Sequence, residues 1–183
     1  MSYTVHTVET APESARTVLA ETKKAFGFLP NLLGIMAEAP ALLKAYQTLG
    51  GLFETTSLSP SERQVVLLTT SYENGCEYCV AAHSVIAAMQ KVAEDVVQSI
   101  REGVPIADRK LEALRRFTSS VVTSRGWPSP SDINAFLAAG YGQQQVLEVV
   151  LGVGMKTLSN YTNHVAETPL DQAFSAAAWS KVA

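Results

Sequence analysis

Cys76, Cys79 and His83 carry most of the chemistry this chain can do. They stand in the stretch "ENGCEYCVAAHS", Glu73 to Ser84, which holds both cysteines of the sequence and one of its three histidines. A C-x-x-C pair can cycle between dithiol and disulfide, and a nearby histidine can take or share a thiol proton. On a helix the two cysteines are i and i+3 and share a face. Their Cα atoms then lie ~5 Å apart, inside the ~4.4–6.8 Å window of a disulfide. His83 is i+4 from Cys79 and i+7 from Cys76, so all three form one stripe. Asn74-Gly75 reads as the stop of a preceding helix. A new helix is therefore expected from about Cys76 to about Gln90. Both cysteines would fall in its first turn, where free N–H groups and the dipole favour a thiolate. That is the chemistry of a thiol–disulfide exchanger or a thiol peroxidase. Cys79, with its i+4 histidine, is the expected attacking thiolate. Cys76 is the expected proton donor and resolving thiol.

Two other readings use the same residues. Cys76, Cys79 and His83 can supply three ligands of a zinc site. No second C-x-x-C or H-x-H pair completes it, however, and His6 and His164 are single residues without ligand spacing. Two buried cysteines that merely pack would seldom fall in this register with a histidine. The reading assigns no metal and no cofactor. Around the motif, Glu73 is an acid at a helix C-terminus, where it is electrostatically disfavoured. It is either solvated near the turn or a partner of the site. Glu77 suits the dipole of the first turn, and Tyr78 either hydrogen-bonds in the site or packs.

The elements that must position these residues are helical. Helix-period runs dominate and strand signals are few, so the expected fold is all-α, a single-domain helical bundle over residues 1–183. Helices are expected at about 12–26, in "LPNLLGIMAEAP" up to Pro40, and in "ALLKAYQTLGGLFETT", where Gly50-Gly51 implies a close helix approach or an early end. Ser59, Pro60 and Glu62 form a start signal with a capping box, and that helix should run to about Glu73. Further helices fit 92–102, 107–125, 131–139 behind a Ser129–Asp132 cap, and 143–166. Phe174 and Trp179 suit an apolar anchor in the tail. Asn160 and Tyr161 face either the motif or a neighbouring subunit, and His164 is expected to be partly exposed or at a subunit contact.

Hydrophobic residues make up 47% and charged residues 17% of the 183, with net charge −3. This is a globular composition, and its low charge content fits apolar surface buried between subunits. The 14 Lys and Arg are scattered, which argues against nucleic acid as a partner. No apolar run reaches the ~18–20 residues that span a bilayer, and "MSYTVHTVET" lacks the pattern of a signal peptide. The expectation is a cytoplasmic protein with no membrane partner, where a C-x-x-C is redox or metal chemistry rather than a staple.

The motif "NGCEYCVAAH", C-x-x-C-x-x-x-H after a helix break, resembles the alkylhydroperoxidase D-like branch of the carboxymuconolactone decarboxylase superfamily. "FGFLPNLLGIMAEAPALLKAY" and "LSPSERQVVLL" are similar to segments that precede the motif in that family. "GVGMKTLSNYTNHVAETPLD" is similar to the tail of its peroxidase-related subgroup. The resemblance covers roughly residues 25–175. It implies an all-helical subunit that assembles as a trimer or hexamer, and a peroxidase or disulfide reductase whose second motif cysteine, Cys79, becomes a sulfenic acid. Cys76 is then the partner thiol and His83 part of a proton relay. The substrate would be a peroxide or disulfide, and the reductant a dithiol such as a lipoyl or thioredoxin-like protein. Two positions depart from the founding pattern: Gln64 stands at the relay glutamate, and Tyr78 at a histidine. Glutamine can orient a partner but cannot carry a proton at neutral pH, which leaves Glu73 as the nearest acid. The alternatives are a decarboxylase of the lactone type, which needs no dithiol, and a non-catalytic redox-responsive or metal-holding oligomer.

Overall fold

The computed structural model describes residues 3–181; Met1, Ser2, Val182 and Ala183, part of the expected 1–183 domain, lie outside the described residues. The elements are α1 (Glu13–Phe26), α2 (Asn31–Met36), α3 (Pro40–Glu54), α4 (Pro60–Glu73), α5 (Glu77–Met89), α6 (Glu94–Glu102), α7 (Arg109–Thr123), α8 (Pro130–Ala138) and α9 (Gln143–Ala166), followed by a 3₁₀ segment, Gln172–Ala177. No strand occurs among the described residues, so the fold is all-α.

Helix α4 is the central post. Val65, Val66, Leu67, Leu68, Thr69, Thr70 and Ser71 are all buried along it, and it packs against α5, α6, α7 and α9. Its start is the expected capping box: Glu62 N–H donates to Ser59 Oγ (3.3 Å) and Ser59 N–H to the Glu62 carboxylate (2.8 Å). Such a cap contributes about 1 kcal/mol. The second box, Ser129 with Asp132, starts α8 as its sequence signals.

Two glycines do specific work. Gly75 has φ +66°, the left-handed conformation that ends α4. Its N–H donates to Tyr72 O (3.0 Å) and the Cys76 N–H donates to Ser71 O (2.9 Å), which is a Schellman motif. Gly152 lets α9 press against α3 and α4, because a Cβ there would stand 2.8 Å from Phe53 and Val66 side-chain atoms. By contrast Gly50-Gly51 neither ends α3 nor marks a tight crossing. The helix continues to Glu54, and Gly51 has open space around it. The tail is anchored as expected: Phe174 is buried edge-on against Tyr78, and Trp179 Nε1 donates to Arg101 O (2.9 Å).

Candidate active site

The Schellman turn puts the two cysteines on a rigid junction. Cys76 is at once the second residue past the end of α4 and the N-cap of α5, with extended φ and ψ. The expectation that α5 begins at Cys76 is thus corrected by one residue: the turn holds Cys76 out of the helix, and Cys79 alone sits in the first turn. Both thiols are free, and each is 1% exposed.

What surrounds them comes chiefly from α9. Lys156, Ser159, Asn160 and Asn163 form a polar strip on its inner face and are all buried. The Asn163 side-chain amide donates to Cys79 Sγ (3.2 Å) and lies 3.7 Å from Cys76 Sγ. Ser159 Oγ is 3.8 Å from Cys79 Sγ. Asn160 Oδ1 accepts from the Asn74 amide (2.9 Å), which ties the strip to the turn before Cys76. Lys156 is 1% exposed. Among the described residues no carboxylate pairs with it.

This arrangement sets the thiols apart. Burial alone pushes the Cys79 thiol up. The hydrogen bond from Cys76, the charge of Lys156, and hydrogen bonds from Ser159 and Lys156 outweigh it and hold Cys79 well below the ordinary thiol value. Cys76 moves the opposite way, raised by its hydrogen bond to Cys79 and by burial. The opposite shifts favour the anion on Cys79 and the proton on Cys76. Lys156 is itself raised: burial disfavours its charge, and the facing Cys79, Tyr46 and Cys76 more than restore it.

Cys79 lies on the wall of a cavity of about 750 Å³. Its apolar lining includes Leu32, Leu33, Phe53, Leu67, Ile86 and Met155, and its polar groups include Tyr46, Gln64, Tyr78, His83 and Lys156. Gly50 and Gly51 also line it, so their missing side chains widen the space. Cys76 is not part of this wall and stands behind Cys79.

The other predicted residues fall in three places. His83 faces α4, not the sulfur: its Nδ1 is 3.0 Å from Gln64 Oε1, and the Gln64 amide donates to Gln90 Oε1 (3.1 Å). That chain of contacts puts the proton on Nδ1 and leaves Nε2 as an acceptor. Among the described residues no hydrogen bond joins the His83 ring to Cys79, so the expected proton sharing is corrected. Burial, and then the Lys156 charge, drive the His83 pKa well below its usual value, and the ring is neutral. The Tyr78 hydroxyl donates to Asp171, whose carboxylate also accepts the Asn31 N–H (3.1 Å). Tyr78 therefore fastens the tail and α2 to the cavity wall. Glu73 is removed from the cluster: its carboxylate accepts from Ser119 Oγ (2.6 Å) on α7. It does not reach the thiols, because at the end of α4 its carboxylate is held by α7. Among the described residues no group of three His, Cys, Asp or Glu side chains is placed to hold a metal ion.

Lys156, Ser159 and Asn163 are the residues the sequence reading missed. A signal existed: Lys156 is the sole charged side chain of "VVLGVGMKTLSNYTN", in a helix whose period puts it on the face of Val149, Gly152 and Ser159.

The helical fold is similar to that of solved proteins with an alkylhydroperoxidase core. An uncharacterised peroxidase-related protein from Ralstonia eutropha, with an alkylhydroperoxidase D core, superposes with TM-score 0.83 at 20% identity over 94% of this chain and 93% of that one. A second peroxidase-related protein, from a Silicibacter species, gives TM-score 0.78 at 16% identity over 89% and 87%. The debrominase Bmp8, solved with 2,3,4-tribromopyrrole, gives 0.76 at 18% over 90% and 89%. No curated protein matches the chain by sequence. Residues 40–118 match the model of the carboxymuconolactone decarboxylase family.

Proposed function

We propose that this protein is a thiol-dependent peroxidase or disulfide oxidoreductase that works through Cys79 and Cys76. One observation carries the reading: Cys79, favoured as a thiolate, lines an apolar cavity while a protonated Cys76 stands directly behind it. The Cys79 thiolate attacks the distal oxygen of a hydroperoxide and breaks the O–O bond, giving a sulfenic acid and an alcohol. The Cys76 thiol then displaces that oxygen as water and closes the disulfide. A dithiol donor of the lipoyl or thioredoxin-like kind restores the pair. In this reading His83, kept neutral by burial and with its Nδ1 directed to Gln64, offers Nε2 as an acceptor for the hydroperoxide O–H. Gln64 and Tyr78 fix the walls, and Glu73 takes no part.

A turning-over dithiol needs a reducing compartment, so the proposal places the enzyme in the cytoplasm. Among the described residues no helix is long and apolar enough to cross a membrane. Homo-oligomers, a trimer or hexamer, are proposed to form through the outer face of α9, where Leu147, Val150, Tyr161 and Val165 are exposed.

The test is turnover of cumene hydroperoxide with dihydrolipoamide as reductant. Native protein is expected to turn over and Cys79→Ser to be inert; equal rates in the two sink the reading. Bromide release from 2,3,4-tribromopyrrole under the same conditions, without peroxide turnover, would instead favour dehalogenation.

A further inference from the structure

The geometry points to Lys156 as the acid that protonates the leaving oxygen when Cys79 cleaves a peroxide. This assignment rests on the peroxidase reading. Breaking the O–O bond of a hydroperoxide expels an alkoxide, a strong base, into a largely apolar cavity. A group on the cavity wall has to supply its proton.

The candidates are few. His83 commits its Nδ1 proton to Gln64 and presents only a lone pair on Nε2. The Tyr78 hydroxyl is engaged with Asp171. Tyr46 lines the cavity, but burial raises its pKa and makes it a poorer acid. Cys76 is off the cavity wall, and its proton is needed for the water released in the resolving step. Glu54, at the cavity edge, is engaged by Arg63 (3.0 Å). That leaves the Lys156 ammonium, on the same wall as Cys79 and free of any carboxylate partner among the described residues.

The charge balance agrees. Before reaction, the Cys79 thiolate is the anion that faces the buried ammonium. Attack turns that anion into a neutral sulfenic acid. A buried ammonium with no counter-charge is disfavoured, so Lys156 becomes a stronger acid at the moment a proton is needed. Thiolate, ammonium, Cys76 thiol and ROOH become disulfide, neutral amine, ROH and water. One proton moves from Lys156 to RO⁻. The thiol and hydroperoxide protons leave as water, and net charge is zero on both sides. Reduction by the dithiol donor returns a proton to the amine as Cys79 regains its negative charge.

A residue that merely ionises Cys79 and one that also protonates the leaving group respond differently to leaving-group basicity. The experiment measures single-turnover oxidation of Cys79 near neutral pH, per thiolate, with cumene hydroperoxide and with peracetic acid. The proteins are native, Lys156→Met and Lys156→Arg. Peracetic acid expels acetate, which needs no acid. Both variants are expected to lose about 100-fold or more with cumene hydroperoxide and less than about 5-fold with peracetic acid. Arginine keeps the charge but cannot give up a proton, so Lys156→Arg should keep the low Cys79 alkylation midpoint while losing the hydroperoxide rate. Equal losses with both oxidants, or full activity in Lys156→Arg, overturn the assignment. A native protein inert to both oxidants overturns the peroxidase reading, and the assignment with it.

Discussion

Along α9 the side turned to the protein is polar where it meets α5, and the side turned to solvent is apolar. Lys156, Ser159, Asn160 and Asn163 are at most 5% exposed, whereas Leu147, Val150, Tyr161 and Val165 are at least 51% exposed. An ordinary surface helix has the reverse pattern. The inversion separates two kinds of burial. Inside, the Asn163 amide donates to Cys79 Sγ and Asn160 Oδ1 accepts from Asn74, while Lys156 favours the anion of Cys79. Outside, the apolar groups are exposed. In the proposed function the inner face carries the chemistry, and the outer face is the proposed site of assembly.

Changes on the inner face should have the largest effects. Cys76→Ser should leave one turnover intact and stop there, with Cys79 as a sulfenic acid seen by mass spectrometry and steady-state rate down by about 1,000-fold. Continued steady-state turnover would remove Cys76 from the resolving role. The pH dependence follows from the sign of the shift. Cys79 is depressed, so its anion persists as pH falls below the ordinary ~8.5 of a thiol. The stability it contributes is present above that value and is lost as pH falls through the lower, folded value. Peroxide reactivity should follow the same curve, staying flat as pH falls below the ordinary thiol value and declining only through the lower, folded value.

On the outer face, Tyr161→Glu combined with Leu147→Glu should break assembly without touching the thiols. The expected result is a drop in particle mass by light scattering, with the Cys79 alkylation midpoint unchanged. A moved midpoint would mean the two faces are not independent. Next in size is Gln64→Glu. A carboxylate beside His83 Nδ1 should raise the ring's pKa and add a limb to the pH–rate profile, with rates changing by less than about 10-fold. Least of all, Ser129→Ala removes a cap far from both faces. It should lower stability by about 1 kcal/mol in thermal unfolding and leave activity alone.

The difference between the faces also explains what could be read from the sequence. Helix starts carried explicit chemistry, Ser59-Pro60-Glu62 and the Ser129–Asp132 cap; the first boundary agrees with the structure, and α8 starts at Pro130, one residue before the expected 131. The Gly75 break and the stripe of Cys76, Cys79 and His83 were local, because i, i+3 and i+4 neighbours are set by helix geometry alone. The partner of the thiolate was not local. Lys156 lies 77 residues beyond Cys79 and reaches it only because Gly152 lets α9 close on α3 and α4. His83 was legible as a member of the motif, but not its rotation towards Gln64. A one-dimensional spacing says which residues share a face and nothing about which neighbouring helix that face meets.

The central claim is that Lys156 holds Cys79 ionised, and titration of Cys79 alkylation against pH tests it most directly. Iodoacetamide labelling, assigned to Cys79 by peptide mass spectrometry, should give a midpoint below about 7.5 in the native protein. In Lys156→Met the midpoint should rise by at least about one unit. A native midpoint near the unperturbed ~8.5, or one that does not move on replacing Lys156, would contradict the account.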